Sequence, residues 1–302
     1  MKYFVSEYLN IIKNSREIDK CRYDSCKKAF NDISQAIFLE EKFDIVLENY
    51  SEYEKDLLTI AWDSILFLSE STITETSHRD LITRRIINLL GTCNIYKEQW
   101  KKHIRRITNM SKLEIEKIDY FTEEIKDKFL GYRFCCELRN YATHFDLPVT
   151  LYMIRLSNDE DINAKIYKKS IVVPKITLSD LTKYKKMDNF HEDLKSRFGE
   201  KIDLRPLIRE YVLGLSRINF KIREIISHHL GKSEKQIFKL LDLLSINTPS
   251  KKSSIYLIQQ ENGSNKYSHK TIPLGFIARR KDYIEKNNLN DSFLNFYSTN
   301  KI

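Results

Sequence analysis

The sequence predicts a mainly α-helical protein with one inserted β-hairpin and a small β-containing C-terminal region. Three observations carry this. Glycine and proline number only 7 and 5 in 302 residues, so breakers of regular structure are scarce. Leu, Ile, Lys and Glu are abundant, as helices favour. Apolar residues recur at three- and four-residue intervals over most of the chain, while two short stretches switch to alternation.

The elements follow in order. In MKYFVSEYLNIIKNSREIDK, Phe4, Tyr8 and Ile11 fall at helical spacing with polar and acidic residues among them. This predicts a helix rather than a signal peptide. SEYEKDLLTIAWDSILFLSE opens with Ser51 and Glu54, the spacing of a capping box, and continues as a strongly apolar helix. HRDLITRRIINLLG is a second helix ending at Gly91, and YKEQWKKHIRRITNM is amphipathic and basic. The longest periodic segment runs from about Leu113 to His144. Pro148 restricts the residue before it, so this helix is expected to stop just after His144.

VTLYMIRLS, the turn NDEDIN and AKIYKKSIVVPKIT form a β-hairpin over about 149–175. LSDLTKYKKM restarts a helix with Ser179 as its cap. DLRPLIREYVLGLSRINFKIREIISHHLG is a bundle helix with Ile208, Tyr211, Leu215, Ile218, Ile222 and Ile225 as its core stripe. His228 and His229 close it ahead of Gly231. NTPSKKSS is a linker. SIYLIQQENGSNKYSHKTIPL is two strands around Asn262-Gly263, and RRKDYIEKNN is a last short helix. The expected organisation is a helical domain over 1–240 carrying the hairpin, then a small C-terminal α+β appendage over 250–302.

Composition narrows the function. Hydrophobic residues at 41% and charged residues at 31% are the balance of a soluble folded chain. No apolar run reaches the roughly 18 residues of a membrane span. A formal charge of +9 and a pI near 9.1 point to a polyanionic partner. The five cysteines are odd in number, and Cys135 and Cys136 are adjacent. They form neither a disulfide framework nor a CxxC metal pair, which places the chain in a reducing cytoplasm. No cofactor or metal is expected. HED at His191, Glu192 and Asp193 is contiguous, and consecutive helical residues do not converge on one ion.

The stretch FCCELRNYATHFDLP carries the chemistry. At 3.6 residues per turn, offsets of four, seven and eleven return to one face. Phe134, Leu138, Tyr141 and Phe145 form an apolar stripe at those offsets, and Arg133, Glu137, Asn140 and His144 form a polar one, with Arg139 beside it. Histidine ordinarily gives or takes a proton near neutral pH. Arginine offers a fork of donors matched to phosphate oxygens. Together they suit RNA cleavage by the 2'-hydroxyl on its own phosphate, which needs proton transfer and stabilisation of an anionic phosphorane but no protein nucleophile and no metal.

RNYATH, with Arg139, Asn140 and His144, resembles the R-N-x-x-x-H signature of HEPN-domain ribonucleases at the end of a long helix. The resemblance spans about 15 residues. It implies a HEPN-like antiparallel helical bundle and a homodimer whose two motif helices share one RNA cleft. By this resemblance His144 is the general base or acid, Arg139 binds the scissile phosphate and Asn140 positions them. From the helical face, Glu137 and Arg133 are added as supporting residues, Glu137 to orient His144 or to pair with Arg133 or Arg139; Tyr141, inside the motif, is counted with them. Some HEPN toxins carry a modifiable tyrosine two places after the histidine; here that position is Asp146.

Basic doublets recur, at Arg84-Arg85, Lys101-Lys102, Arg105-Arg106, Lys251-Lys252 and Arg279-Arg280. Of these, Lys101, Lys102, Arg105 and Arg106 in the segment after Trp100 are the expected RNA contacts. The reading is a cytoplasmic, metal-independent endoribonuclease, in a toxin–antitoxin or antiviral-defence setting, with RNA, a second copy and an antitoxin or other regulatory protein as partners. The alternatives are an inactive HEPN module that binds RNA or a partner protein, and a helical scaffold in which RNYATH is coincidental.

Overall fold

The computed structural model describes residues 1–7, 15–67, 72–160, 166–246, 253–262 and 267–289. The element order is β1 (Lys2–Ser6), β2 (Arg16–Ile18), α1 (Lys20–Phe67), α2 (Thr72–Ile107), α3 (Lys112–Lys128), α4 (Leu130–His144), β3 (Leu151–Glu160), β4 (Ile166–Thr177), α5 (Leu178–Leu181), a 3-10 turn (Lys185–Phe190), α6 (His191–Phe198), β5 (Lys201–Asp203), α7 (Leu204–Leu243), β6 (Ser254–Gln260), β7 (Tyr267–Pro273) and α8 (Phe276–Lys286). The mainly α-helical class holds. The chain divides into two compact units. Helices α1, α2, α3 and α7 each contribute residues to both.

The first unit takes in Met1–Asp44, Gln99–Ile118 and Phe220–Asn288. Its sheet has the order β2-β1-β6-β7, all antiparallel, with Tyr3 opposite Gln259 and Val5 opposite Leu257. The N-terminal segment is therefore a strand at Phe4, not a helix; Tyr8 and Ile11 lie outside the described residues. Val5, Ile255, Leu257 and Ile258 of the sheet are buried, as are Cys26, Ile33, Ile226 and Leu240 of the unit's helices. Arg223 grips Glu40 through two bonds of 2.9 and 2.7 Å.

The C-terminal hairpin is thus no appendage. It exists as expected on either side of Asn262, with Gly263 outside the described residues, and α8 follows it. But β6 pairs with the first strand of the chain, and the unit boundary does not fall at 240–250. Of the linker expected at 247–254, residues 247–252 lie outside the described residues, and Ser254 already belongs to β6.

The second unit takes in Ile45–Glu98, Asp119–Asn219 and Leu289–Ile302. Its sheet has the order β3-β4-β5. The hairpin register runs from Leu151 opposite Lys175 to Glu160 opposite Ile166, so Asn158, Asp159 and Glu160 belong to the strand rather than the turn. Asp203 ends β5 and starts α7 by accepting the Arg205 N–H at 3.0 Å. Pro206 sits in the first turn of α7, where a helical N–H has no partner to lose.

The helices are longer than their local signals. Ser51 and Glu54 lie inside α1, where Glu54 pairs with Arg209 instead of capping. Gly91 lies inside α2 and Gly231 inside α7, with open space where a Cβ would sit. His228 and His229 therefore do not close α7, and His229 bonds Glu114 at 2.6 Å. The cap of α5 is Thr177, whose hydroxyl accepts the Asp180 N–H, and not Ser179.

One expected helix is broken. The 113–144 segment divides at Phe129, whose backbone is extended. A tertiary contact explains the break. Gly131 presses against α7 so closely that an added Cβ would lie 2.3 Å from the Leu207 carbonyl oxygen. The Gly131 N–H, an orphan of the new helix start, is taken by Glu210 Oε2 at 2.7 Å.

Candidate active site

Helix α4 has one face in the core. Phe134, Cys135, Leu138 and Tyr141 are buried, and the rings of Phe134 and Tyr141 meet Phe190 and Tyr184 edge-on. Phe145, expected to complete the stripe, is 48% exposed because the helix ends at His144. The end itself is made by Tyr141, whose carbonyl accepts the N–H groups of Phe145 and Asp146. Asp146 then accepts the Leu147 N–H at 2.7 Å, and Pro148 follows.

The polar face is arranged differently from the expectation. Asn140 Nδ2 donates to Glu137 Oε2 at 3.0 Å. Glu137 thus holds Asn140, rather than orienting His144 or pairing with either arginine. Arg133 turns to α6, where its Nη2 is 3.7 Å from Asp193, and its buried Nε has no hydrogen-bond partner among the described residues. Arg139 is 28% exposed and its Nη2 stands 3.7 Å from Glu98 on α2. His144 is exposed at the last turn, with no hydrogen bond or ion pair among the described residues. Five residues on a helix turn through about 500°, so Arg139 and His144 point some 140° apart. The structure joins Asn140 to Glu137; it does not join Arg139 to His144 within one copy.

Tyr141 is a core residue behind the site. Its hydroxyl has no hydrogen-bond partner among the described residues. Burial, then the charges of Asp146 and Asp180, push its pKa up to about 12, so it stays protonated at neutral pH.

Two neighbours have no signal in the sequence, because α2 meets α4 only through tertiary packing. One is Glu98. The other is Lys97, whose ammonium lies 2.8 Å from Cys136 Sγ and above the rings of Tyr132 and Tyr211 at 5.7 and 5.8 Å. Cys136 is half-buried, while burial pushes the thiol pKa values of Cys93 and Cys135 up.

Elsewhere, Trp100 is buried and cannot stack on a base. Lys101 lies over its ring at 5.3 Å. Arg105 and Arg106 are exposed and line a cleft with residues of α1. In the HED run, His191 Nδ1 contacts its own neighbour Glu192 at 3.1 Å, and Asp193 faces Arg133. Among the described residues, no three His, Cys, Asp or Glu side chains gather as a metal site. None of the described helices is long and apolar enough to cross a membrane.

No protein-family model, no curated protein and no solved structure matches this chain.

Proposed function

We propose that the chain is a metal-independent endoribonuclease of the HEPN type, acting in the cytoplasm as a toxin or antiviral-defence effector. The observation that carries the reading is the end of α4. There a guanidinium, an amide fixed by Glu137 and an open imidazole stand on a helix whose other face is locked in the core. A rigid support for exposed proton-transfer and phosphate-binding groups is what an RNA transesterification site requires.

In the reaction, His144 takes the proton of the 2'-hydroxyl, the 2'-oxygen attacks phosphorus, the bond from phosphorus to the 5'-oxygen breaks, and the protonated imidazole returns the proton to the leaving 5'-oxygen. The products are a 2',3'-cyclic phosphate and a 5'-hydroxyl. Arg139 stabilises the anionic phosphorane. The 140° between Arg139 and His144 favours a site completed by a second copy, in which Arg139 of one protomer and His144 of its partner address one phosphate.

The second reading, an inactive module that binds RNA or a partner protein, is favoured by Glu98, whose carboxylate competes with phosphate for Arg139. The test is cleavage of total RNA in excess EDTA by wild type, His144→Ala and Arg139→Ala. The proposal expects cleavage by wild type alone, with cyclic-phosphate ends. Cleavage retained by both variants refutes the site, and a silent wild type supports the binding module.

A further inference from the structure

The first unit holds a cleft of about 640 Å³ between α1 and the C-terminal end of α2. Four cations line it: Lys27 and Lys28 from α1, Arg105 and Arg106 from α2. Two acids, Asp24 and Asp32, oppose them. Asp32 is buried and already engaged, by Lys28 at 2.7 Å and by the Ser233 hydroxyl at 3.1 Å. This leaves Lys27, Arg105 and Arg106 against Asp24 alone. Among the described residues, no carboxylate pairs with Lys27 or Arg105.

The polar groups between these charges are set to donate. Gln35 Oε1 accepts from His103 Nδ1 at 2.8 Å and from Arg106 Nη1 at 3.1 Å. Two donors on one oxygen fix the amide and leave its NH₂ for a ligand. His103 reports the local field. Burial first, then the cations Lys42, Arg106 and Lys102, lower its pKa to about 4. It is therefore neutral at pH 7 and donates to Gln35 through Nδ1.

Phe38, one helical turn beyond Gln35 on α1, lines a second cleft rather than this one and is 44% exposed beside the His103 ring. Met110 is 69% exposed. Asn109 and Met110 both hold positive φ, 54° and 67°. Asparagine tolerates that conformation but methionine does so at a cost of about 1 kcal/mol, so the turn keeps Met110 at the rim against its local preference.

We propose that this cleft binds the backbone of single-stranded RNA, with Lys27, Arg105 and Arg106 on phosphates, Gln35 donating beside them and Phe38 stacking on a base. Fixed cations next to an exposed aromatic suit an unpaired strand, whose bases are free to stack. That the RNA bound here is also the one cleaved rests on the ribonuclease reading; the binding does not.

The experiment is fluorescence anisotropy with a labelled 12-nucleotide RNA and the full-length His144→Ala protein, which cannot consume the probe. Added to this background, Lys27→Glu/Arg105→Glu should weaken binding at least tenfold near 0.1 M salt. The slope of log affinity against log salt should fall by about 1.4, the loss of two single-strand phosphate contacts. Phe38→Ala should weaken binding severalfold with no change of slope. Lys55→Glu/Arg84→Glu, an equal charge change on exposed residues of the second unit, should stay within twofold. Circular dichroism checks that each variant is folded.

Equal losses in the two charge-reversal pairs would overturn the cleft in favour of diffuse attraction. Duplex RNA bound as tightly as the single strand would overturn the stacking role, and full displacement by a mononucleotide at matching affinity would overturn the backbone role. Cleft-dependent binding by a protein that never cleaves RNA would support this site and refute the nuclease. Cleavage without cleft dependence would do the reverse.

Discussion

Gly131→Ala should destabilise the protein although alanine is the better helix former. A Cβ at this position would lie 2.3 Å from the Leu207 carbonyl oxygen, 2.7 Å from Glu210 Cβ and 2.8 Å from Leu207 Cα. Two of these atoms are backbone of α7 and cannot rotate away. Restoring ordinary contact requires α4 to retreat by about 1 Å. Overpacking of this kind costs about 1–3 kcal/mol. Retreat also stretches the 2.7 Å bond from Gly131 N–H to the Glu210 carboxylate, and such a charge-assisted bond contributes about 1.5 kcal/mol or more. Against this stands a gain below about 1 kcal/mol from helix propensity, small because Gly131 lies in the first turn. The net loss is about 2–4 kcal/mol. At about 2–4 °C per kcal/mol, thermal unfolding followed by far-UV circular dichroism should shift down by about 5–15 °C. Gly91→Ala is the control. It is mid-helix with nothing within 4 Å of the added Cβ, so it should stabilise by about 0.5–1 kcal/mol. A Gly131→Ala protein as stable as wild type would refute the account of why α3 and α4 are separate helices.

Two further predictions follow from the buried charges. Arg209 is buried and grips Glu54 through bonds of 2.9 and 3.0 Å, so Arg209→Met should cost about 3–5 kcal/mol in urea unfolding by stranding the carboxylate. Adding Glu54→Gln should recover most of that, and an unchanged single variant would show that the pair is not desolvated. His103 has its folded pKa lowered to about 4, against about 6.5 unfolded. Between those values the unfolded chain binds more protons, so stability is fully present above about pH 6.5 and falls as pH drops toward 4. His103→Gln should remove up to about 3 kcal/mol of that acid-side loss, read from unfolding midpoints at pH 7 and pH 4.5. An identical pH slope in the variant would mean that His103 protonates freely in the folded state.

The sequence disclosed periodicity well and boundaries poorly, for one physical reason. Ser51, Gly91 and Gly231 are genuine local stop and start signals, each worth about 1 kcal/mol. They are overridden because the apolar stripes are buried on both sides of them: Val46 and Leu57 around Ser51, Leu90 and Cys93 around Gly91, Leu230 and Ile237 around Gly231. Conversely, nothing local marks Phe129 as a break. That break is set by Leu207 and Glu210, more than 70 residues away in sequence. The end of α4 was legible because Pro148 acts locally. The strand at Lys2–Ser6 was not, because one of its two partners is only the three-residue strand Arg16–Ile18 and the other is the segment Tyr256–Gln260 at the other end of the chain. At the site, the buried stripe of α4 and the exposure of His144 follow from helical geometry alone. The partners Glu98 and Lys97, and the α1 wall of the basic cleft, come from other helices and had no signature to read.

Whether Arg139 is free to meet a phosphate turns on the strength of its contact with Glu98. A scaffold reading of RNYATH expects Arg139 either committed to an internal salt bridge or splayed out without His144 nearby. Within one copy the two do point about 140° apart, so the Glu98 contact decides only the first alternative, and commitment is a matter of energy rather than proximity. The buried pair Arg209–Glu54 is what commitment looks like here: two short bonds with both groups out of water. Arg139 and Glu98 differ on each count. Their atoms are 3.7 Å apart, beyond hydrogen-bond distance, and their side chains are 28% and 66% exposed. A pair of that kind contributes about 0–1 kcal/mol. A guanidinium on a phosphate makes charge-assisted bonds worth about 1.5–3 kcal/mol each. Under the proposed function, a phosphate is therefore expected to displace Glu98 from Arg139.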